Sequence, residues 1–273
     1  MERPRQGVVL ERFMKQGERV VMGKVIAVAG KGGTGKTTTA CLVTRYLSKS
    51  EYNPILAIDA DPNSNLGETM GIDVEKTVGD IRENFMKDPQ GLPPGMDKVN
   101  YLEMLMNQVI IERKAFDLLV MGRQEGTGCY CMVNNILNRF SEELSKSYKY
   151  LVVDNEAGME HLSRRTSGRV DMLLLITDYS LRGLRALKRI HDMLGGLKLD
   201  VRNKGMVVTR APEKLSDAFM NEAREIGVPI LGLIPDDGLL LDFDMEKRSL
   251  MDLPDDSPSV MAVDAMMNTI MPV

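Results

Sequence analysis

Tryptophan is absent from this chain of 273 residues, and aromatic residues make up only 5% of it. A core must therefore be built from aliphatic side chains and from the 21 methionines. Methionine packs adaptably, so its abundance need not mark a binding surface. Cysteine is scarce, and three residues do not make the disulfide framework of a small secreted scaffold. No apolar run reaches the length of a membrane span, and none reads as a signal-peptide core. Positive charge is not in excess. The net charge is −4 and the pI is near 5.4, which argues against a basic groove for nucleic acid. These absences lead to the expectation of a cytoplasmic protein with neither nucleic-acid nor membrane partners. No Pro/Ser-rich linker divides the chain, so residues 22–273 are expected to form one domain. Residues 1–21 are polar and of mixed charge, with one apolar cluster at Val8-Val9-Leu10 and Phe13-Met14. They read as an extension outside the core.

What is present is an alternation of apolar runs and amphipathic stretches, the mark of βαβ units and a parallel sheet. The pattern predicts strands over 24–29, 54–58, 116–121, 149–153, 171–176, 205–208 and 230–234. It predicts helices over 35–49, 100–112, 131–146, 180–194, 213–226 and 258–271. Runs such as Leu151-Val152-Val153 and Met172-Leu173-Leu174-Leu175-Ile176 are apolar throughout, as strands covered on both faces should be. The expected class is α/β, a doubly wound and mostly parallel sheet with helices on both faces. Ligands of such sheets bind at the carboxyl ends of the strands.

The first predicted strand runs into Gly30-Lys31-Gly32-Gly33-Thr34-Gly35-Lys36-Thr37-Thr38. A strand, a Gly-rich turn and a helix in that order make a phosphate-binding loop of a P-loop NTPase. Backbone amides of Gly32, Gly33, Thr34, Gly35, Lys36, Thr37 and Thr38 are the expected phosphate contacts, aided by the helix N-terminus. Lys36 is expected at the β- and γ-phosphates and the Thr37 hydroxyl on Mg²⁺. The second predicted strand ends in Asp59-Ala60-Asp61-Pro62, two carboxylates on one side of an extended segment. The fourth ends in Asp154-Asn155-Glu156-Ala157-Gly158, where Asp154 is a candidate to hold Mg²⁺ directly or through water.

The lysine at position 31 carries a resemblance. Lys-Gly-Gly-Thr-Gly-Lys-Thr-Thr resembles the deviant loop of the MinD/ParA/nitrogenase-iron-protein ATPases. The resemblance implies a homodimer closing around ATP, with Lys31 acting in trans on the partner's nucleotide. It implies that Asp61 orients or activates the attacking water and that Asp59 sits near the Mg²⁺ shell. It likens Ala157-Gly158 to switch II, although relatives often carry Pro or Gly where Glu156 stands. At the base end, relatives often close the sixth strand with Asn before Lys or Arg, where this chain has Val208-Thr209-Arg210. Thr209, Arg210 and Pro235 of the Ile-Pro turn are the base-side candidates that the likeness supplies.

Between the third and fourth predicted strands lies Gly126-Thr127-Gly128-Cys129-Tyr130-Cys131. In an extended segment the two thiols point the same way, and one chain offers half of a tetrahedral thiolate site. A two-fold axis would bring four together, and soft thiolates select Zn, Ni, Cu(I) or Fe–S. Cys41, in the helix after the loop, reads as core. With Ala-Gly-Met-Glu-His-Leu at 157–162, the set resembles the CooC-type ATPases from residue 22 to about 265. That likeness implies a nucleotide-gated homodimer holding Ni²⁺ or Zn²⁺ at its interface. Its client would be a nickel-dependent carbon monoxide dehydrogenase or a related enzyme. His161 falls within the same run. Two rivals stand beside this reading. One is an iron–sulfur electron-transfer reductase, whose relatives take their two cysteines from separate loops. The other is a MinD/ParA-like positioning ATPase, which needs a basic tail or a basic DNA-binding surface.

Overall fold

The computed structural model describes residues 23–87, 92–123, 144, 146–155, 169–197 and 199–271. Among these residues eight strands form one sheet: β1 (Lys24–Gly30), β2 (Ile55–Asp59), β3 (Ile111–Glu112), β4 (Asp117–Val120), β5 (Tyr150–Asp154), β6 (Arg169–Asp178), β7 (Asp200–Ala211) and β8 (Ile230–Pro235). Their order is β3-β4-β2-β5-β1-β6-β7-β8. Every pairing is parallel except that of the edge strand β3 with β4.

Because side chains alternate along a strand, β1 feeds two cores. Val25, Ala27 and Ala29 face one side, and Ile26 and Val28 face the other. The first core is closed by helices α3 (Val78–Lys87), α4 (Lys98–Asn107), α5 (Leu181–Met193) and α6 (Asp217–Ile226). α5 buries Gly183, Ala186, Leu187 and Ile190, with Leu184 beside them, and α6 buries Phe219, Ala223 and Ile226. These are i, i+3, i+4, i+7 stripes of surface helices laid on a sheet. The second core is closed by α1 (Lys36–Leu47), the short α2 (Asn65–Thr69), α7 (Gly238–Met245) and α8 (Pro258–Ile270). Tyr46, Val263, Met266 and Met267 fill it, so several methionines are core packing as their chemistry suggested.

Side-chain caps set several helix starts. Asp97 accepts from the amides of Val99 and Asn100, Ser180 from Gly183 and Ser216 from Phe219. Asp237 caps α7 through Leu239, and its other oxygen takes Ser257 Oγ at 2.6 Å and Ser259 N at 3.0 Å. One carboxylate therefore joins the starts of α7 and α8.

All seven expected strands are present, each within a few residues of its expected bounds. The helix expected over 100–112 differs: it spans Lys98–Asn107, and Ile111–Glu112 pair with β4 instead. The helix expected over 131–146 falls largely outside the described residues. β6 and β7 begin earlier than their apolar runs. Asp171 accounts for that extension: it takes Val25 N at 3.0 Å and pairs with Arg169 at 2.6 Å and Arg202 at 3.4 Å. Among the described residues no helix is long and apolar enough to cross a membrane.

Candidate functional site

The carboxyl ends of β1, β2, β5, β6 and β7 meet at the Gly-rich loop. β1 ends at Gly30 and α1 begins at Lys36, so five residues make the turn. Gly33 (φ +75°) and Gly35 (φ +84°) take left-handed backbone, which side chains resist. Gly35 is also the N-cap of α1, without a side-chain cap, which leaves the first amides of that helix for another acceptor. Within the loop, Thr34 N and Oγ1 both donate to the Lys31 carbonyl, at 3.3 and 2.7 Å. Lys36 is buried and its ammonium lies 3.5 Å from the same carbonyl. The side chain of Lys31 is exposed, with Gly32 and Gly33 beside it. Thr37 and Thr38 are half-buried in the first turn of α1.

Two aspartates close adjacent strands at the same level: Asp59 of β2 is the register partner of Asp154 of β5. Asp59 is fully buried, and both its oxygens are taken by backbone amides. Oδ1 accepts from Asp61 N at 3.1 Å and Oδ2 from Leu66 N at 2.8 Å. Burial pushes its carboxyl up to about 6, while those two amides pull the other way. Asp154 is equally buried, but its Oδ1 has no hydrogen-bond partner among the described residues. Burial pushes its carboxyl up to about 7. The Thr37 hydroxyl and the Lys36 charge favour the ionised form, and Asp59 and Asp61 oppose it. Asp61 is half-buried, and its Oδ1 accepts from Asn63 N and Nδ2 at 2.9 and 3.0 Å.

A divalent cation fits the corner between Thr37 and Asp154. A buried carboxylate oxygen without a donor is costly unless something positive meets it. Mg²⁺ takes one or two carboxylates and completes its shell with phosphate oxygens and waters. Among the described residues no three His, Cys, Asp or Glu side chains gather as a metal site, so an all-protein cage is not what this corner offers. Cys129 and Cys131, Glu156, the 157–162 run and His161 lie outside the described residues. Cys41 is buried in α1, and burial pushes its thiol up, as befits core.

At the base end the side chains turn toward the loop. Thr209 Oγ1 donates to the Thr34 carbonyl at 2.8 Å and lies 3.2 Å from that of Thr177. Arg210 Nη2 donates to the Gly33 carbonyl at 3.0 Å. Pro235 closes β8 in register with Ala211. Asn155 has a place that sequence reasoning missed. Its Nδ2 donates to the carbonyls of Val28 and Val153, at 3.0 and 3.3 Å, tying β1 to β5 just below the loop. Its only signal was an amide directly after an apolar strand.

Residues 25–250 match the model of the CobQ/CobB/MinD/ParA nucleotide binding domain. An uncharacterised ATP-binding protein of Methanocaldococcus jannaschii is 43% identical, over 85% of this chain and 92% of that protein. The carbon monoxide dehydrogenase accessory protein CooC of Rhodospirillum rubrum is 28% identical, over 84% of this chain and 89% of its own. Among solved structures, the MinD cell division protein of Aquifex aeolicus aligns with a TM-score of 0.66 at 22% identity. That alignment covers 92% of this chain and 98% of MinD, and it is a likeness of fold.

Proposed function

The chain belongs to the CobQ/CobB/MinD/ParA nucleotide-binding family of P-loop ATPases, and from that premise we propose that its ATP hydrolysis drives the delivery of a thiolate-bound metal ion, nickel, to an enzyme that needs it. The observation that carries the hydrolytic half is the orphaned oxygen of Asp154, buried beside the Thr37 hydroxyl and the Lys36 ammonium. Thr37 and Asp154 would hold Mg²⁺, which when bound neutralises charge on the β- and γ-phosphates. Lys36 neutralises the same oxygens from the loop, and the amides of residues 32, 33 and 35–38 orient them, while that of Thr34 is spent on the Lys31 carbonyl. Asp61, half-exposed at the mouth of the site, orients the water whose oxygen attacks the γ-phosphorus as the bond to the bridging oxygen breaks. Lys31 is exposed, which suits a role on the nucleotide of a second copy.

In this reading two copies close around ATP, and Cys129 and Cys131 of each face each other across the two-fold axis. Four thiolates make a tetrahedral site that holds Ni²⁺, or Zn²⁺ in its place, as cargo. Hydrolysis opens the dimer and frees the ion for the client. Support comes from the Cys-Tyr-Cys segment in the sequence and from similarity to an accessory protein of carbon monoxide dehydrogenase. A nickel-dependent carbon monoxide dehydrogenase or a related nickel enzyme is the client class proposed. The test is the double variant Cys129→Ser/Cys131→Ser. Bound nickel or zinc should vanish while ATPase activity stays measurable. Unchanged metal stoichiometry would remove the cargo role, and iron in the purified wild type would favour an electron-transfer reductase. Lys36→Ala should abolish hydrolysis, and substantial residual turnover would contradict the loop's role.

A further inference from the structure

We propose that Arg210 is a positioning residue for the phosphate-binding loop, holding the Gly33 carbonyl from the end of β7. The inference rests on residues 31–38 being the seat of the nucleotide phosphates.

The β7–β8 ladder slips at this point. Thr209 pairs with Ile234 and Ala211 with Pro235, which leaves Arg210 between them without a register partner. Arg210 takes φ +50°, a left-handed backbone that is strained for any side chain. A bulge of this kind re-aims a side chain, and bulges gather beside active sites. Here the turned side chain reaches the loop. Arg210 Nη2 donates to Gly33 O at 3.0 Å and lies 3.5 Å from Asp178 Oδ2.

The neighbouring residue does the same to the next peptide, since Thr209 Oγ1 donates to Thr34 O at 2.8 Å. Two consecutive residues thus hold two consecutive loop carbonyls. A peptide is planar, with N–H and C=O on opposite sides, so fixing one fixes the other. Holding Thr34 O turns the Gly35 amide the opposite way. Holding Gly33 O orients the Thr34 amide, which closes the turn onto Lys31 O at 3.3 Å. Without the arginine, ordering of the glycine turn would fall to the phosphates themselves.

The far side of the clasp is braced as well. Asp178 Oδ1 accepts from Ser180 Oγ at 2.6 Å, and Ser180 Oγ accepts from Gly183 N at 2.9 Å, capping α5. A Cβ on Gly183 would stand 2.2 Å from Asp178 Oδ1, so a larger residue there would displace this carboxylate. As a half-exposed ion pair, Arg210–Asp178 adds little stability by itself. Its effect is to aim the planar guanidinium, a geometry lysine does not reproduce.

The test compares Arg210→Ala, Arg210→Gly and Arg210→Lys with wild type. It reads the KM for MgATP, the inhibition constant of Mg-tripolyphosphate (which has no base), kcat and the melting temperature of nucleotide-free protein. For Ala, both constants should rise together by roughly fivefold to tenfold, with kcat within about twofold. Glycine should show the same loss although it relieves the backbone strain, and lysine should recover part of it. A loss for ATP without a loss for tripolyphosphate would make Arg210 a base contact and overturn the proposal. A lowered melting temperature with unchanged constants would make it merely structural and overturn it too, as would three variants indistinguishable from wild type. Wild-type protein that binds neither probe would instead refute the nucleotide reading beneath it.

Discussion

The ends of β2 and β5 lie side by side, and each closes on a buried aspartate at the same register level. The two carboxylates are used differently. Asp59 has both oxygens taken by backbone amides, so its task is complete within the chain: it folds the 59–66 loop back onto the sheet. Among the described residues Asp154 keeps one oxygen without a donor. Burial alone therefore does not mark a metal-facing group, since both are buried and both have carboxyls pushed upward. The distinguishing sign is the unspent acceptor. By that sign Asp154 is the one of the two with an oxygen to offer a cation, while Asp59 braces the loop on the neighbouring strand.

The largest effect that sharpens this contrast belongs to Asp154→Ala. Turnover should fall by about a thousandfold, the scale of losing one preorganised charge at the reacting phosphates. The gain in nucleotide affinity that Mg²⁺ brings should vanish with it. Retention of that gain, measured by titrating nucleotide with and without Mg²⁺, would break the comparison.

Asp154→Asn tests the same group through stability. The folded-state value of about 7 lies above the ordinary 3.8, so the carboxyl's contribution is fully present below about pH 4 and is lost as pH rises through 7. Asparagine mimics the protonated form at every pH. Nucleotide-free wild type and variant should therefore melt alike only below about pH 4. The gap should open as pH rises from about 4 to 7, and by pH 8 the variant should be the more stable, by on the order of 4 kcal/mol. A difference that stays flat across this range would mean that Asp154 is already matched by a positive partner.

Asp61→Ala comes next. Nucleotide binding should stay largely intact while turnover drops by about a hundredfold, the size of general-base or water-orienting effects. An active variant would take Asp61 out of the reaction. The smallest effect should come from Asp59→Ala. Loss of its amide contacts should cost about 2 kcal/mol of stability, with turnover reduced through the displaced loop by roughly tenfold. If Asp59→Ala instead abolished the Mg²⁺ effect as fully as Asp154→Ala, the two carboxylates would share the cation.

Much of this was legible in the chain itself, because the parallel sheet writes its strands as apolar runs and the glycine turn has few alternatives. What escaped had physical reasons. Ile111–Glu112 is too short for periodicity to show, and an amphipathic stretch swallowed it. α7 reads Gly-Leu-Leu-Leu-Asp-Phe-Asp-Met, apolar almost all round, so no helical face stands out. The early residues of β6 and β7 are polar, and Asp171 with its two arginines holds them, an arrangement visible only once the strands are adjacent. At the site, the order of motifs marked Asp59, Asp61 and Asp154, yet local pattern does not say which oxygen is already spent. Arg210 was legible only as a residue at a strand end; its turn toward the loop depends on a bulge against β8. The Cys129–Cys131 pair lies outside the described residues and stands on sequence alone.

The account turns on two copies of the chain enclosing triphosphate and gripping one ion between them. The most direct measurement is mass in solution together with metal content, with Mg²⁺ and a non-hydrolysable ATP analogue present and absent. The predicted result is a dimer with the analogue, carrying one nickel or zinc ion per pair of chains. A protein that stays monomeric and free of metal under every one of these conditions would contradict it.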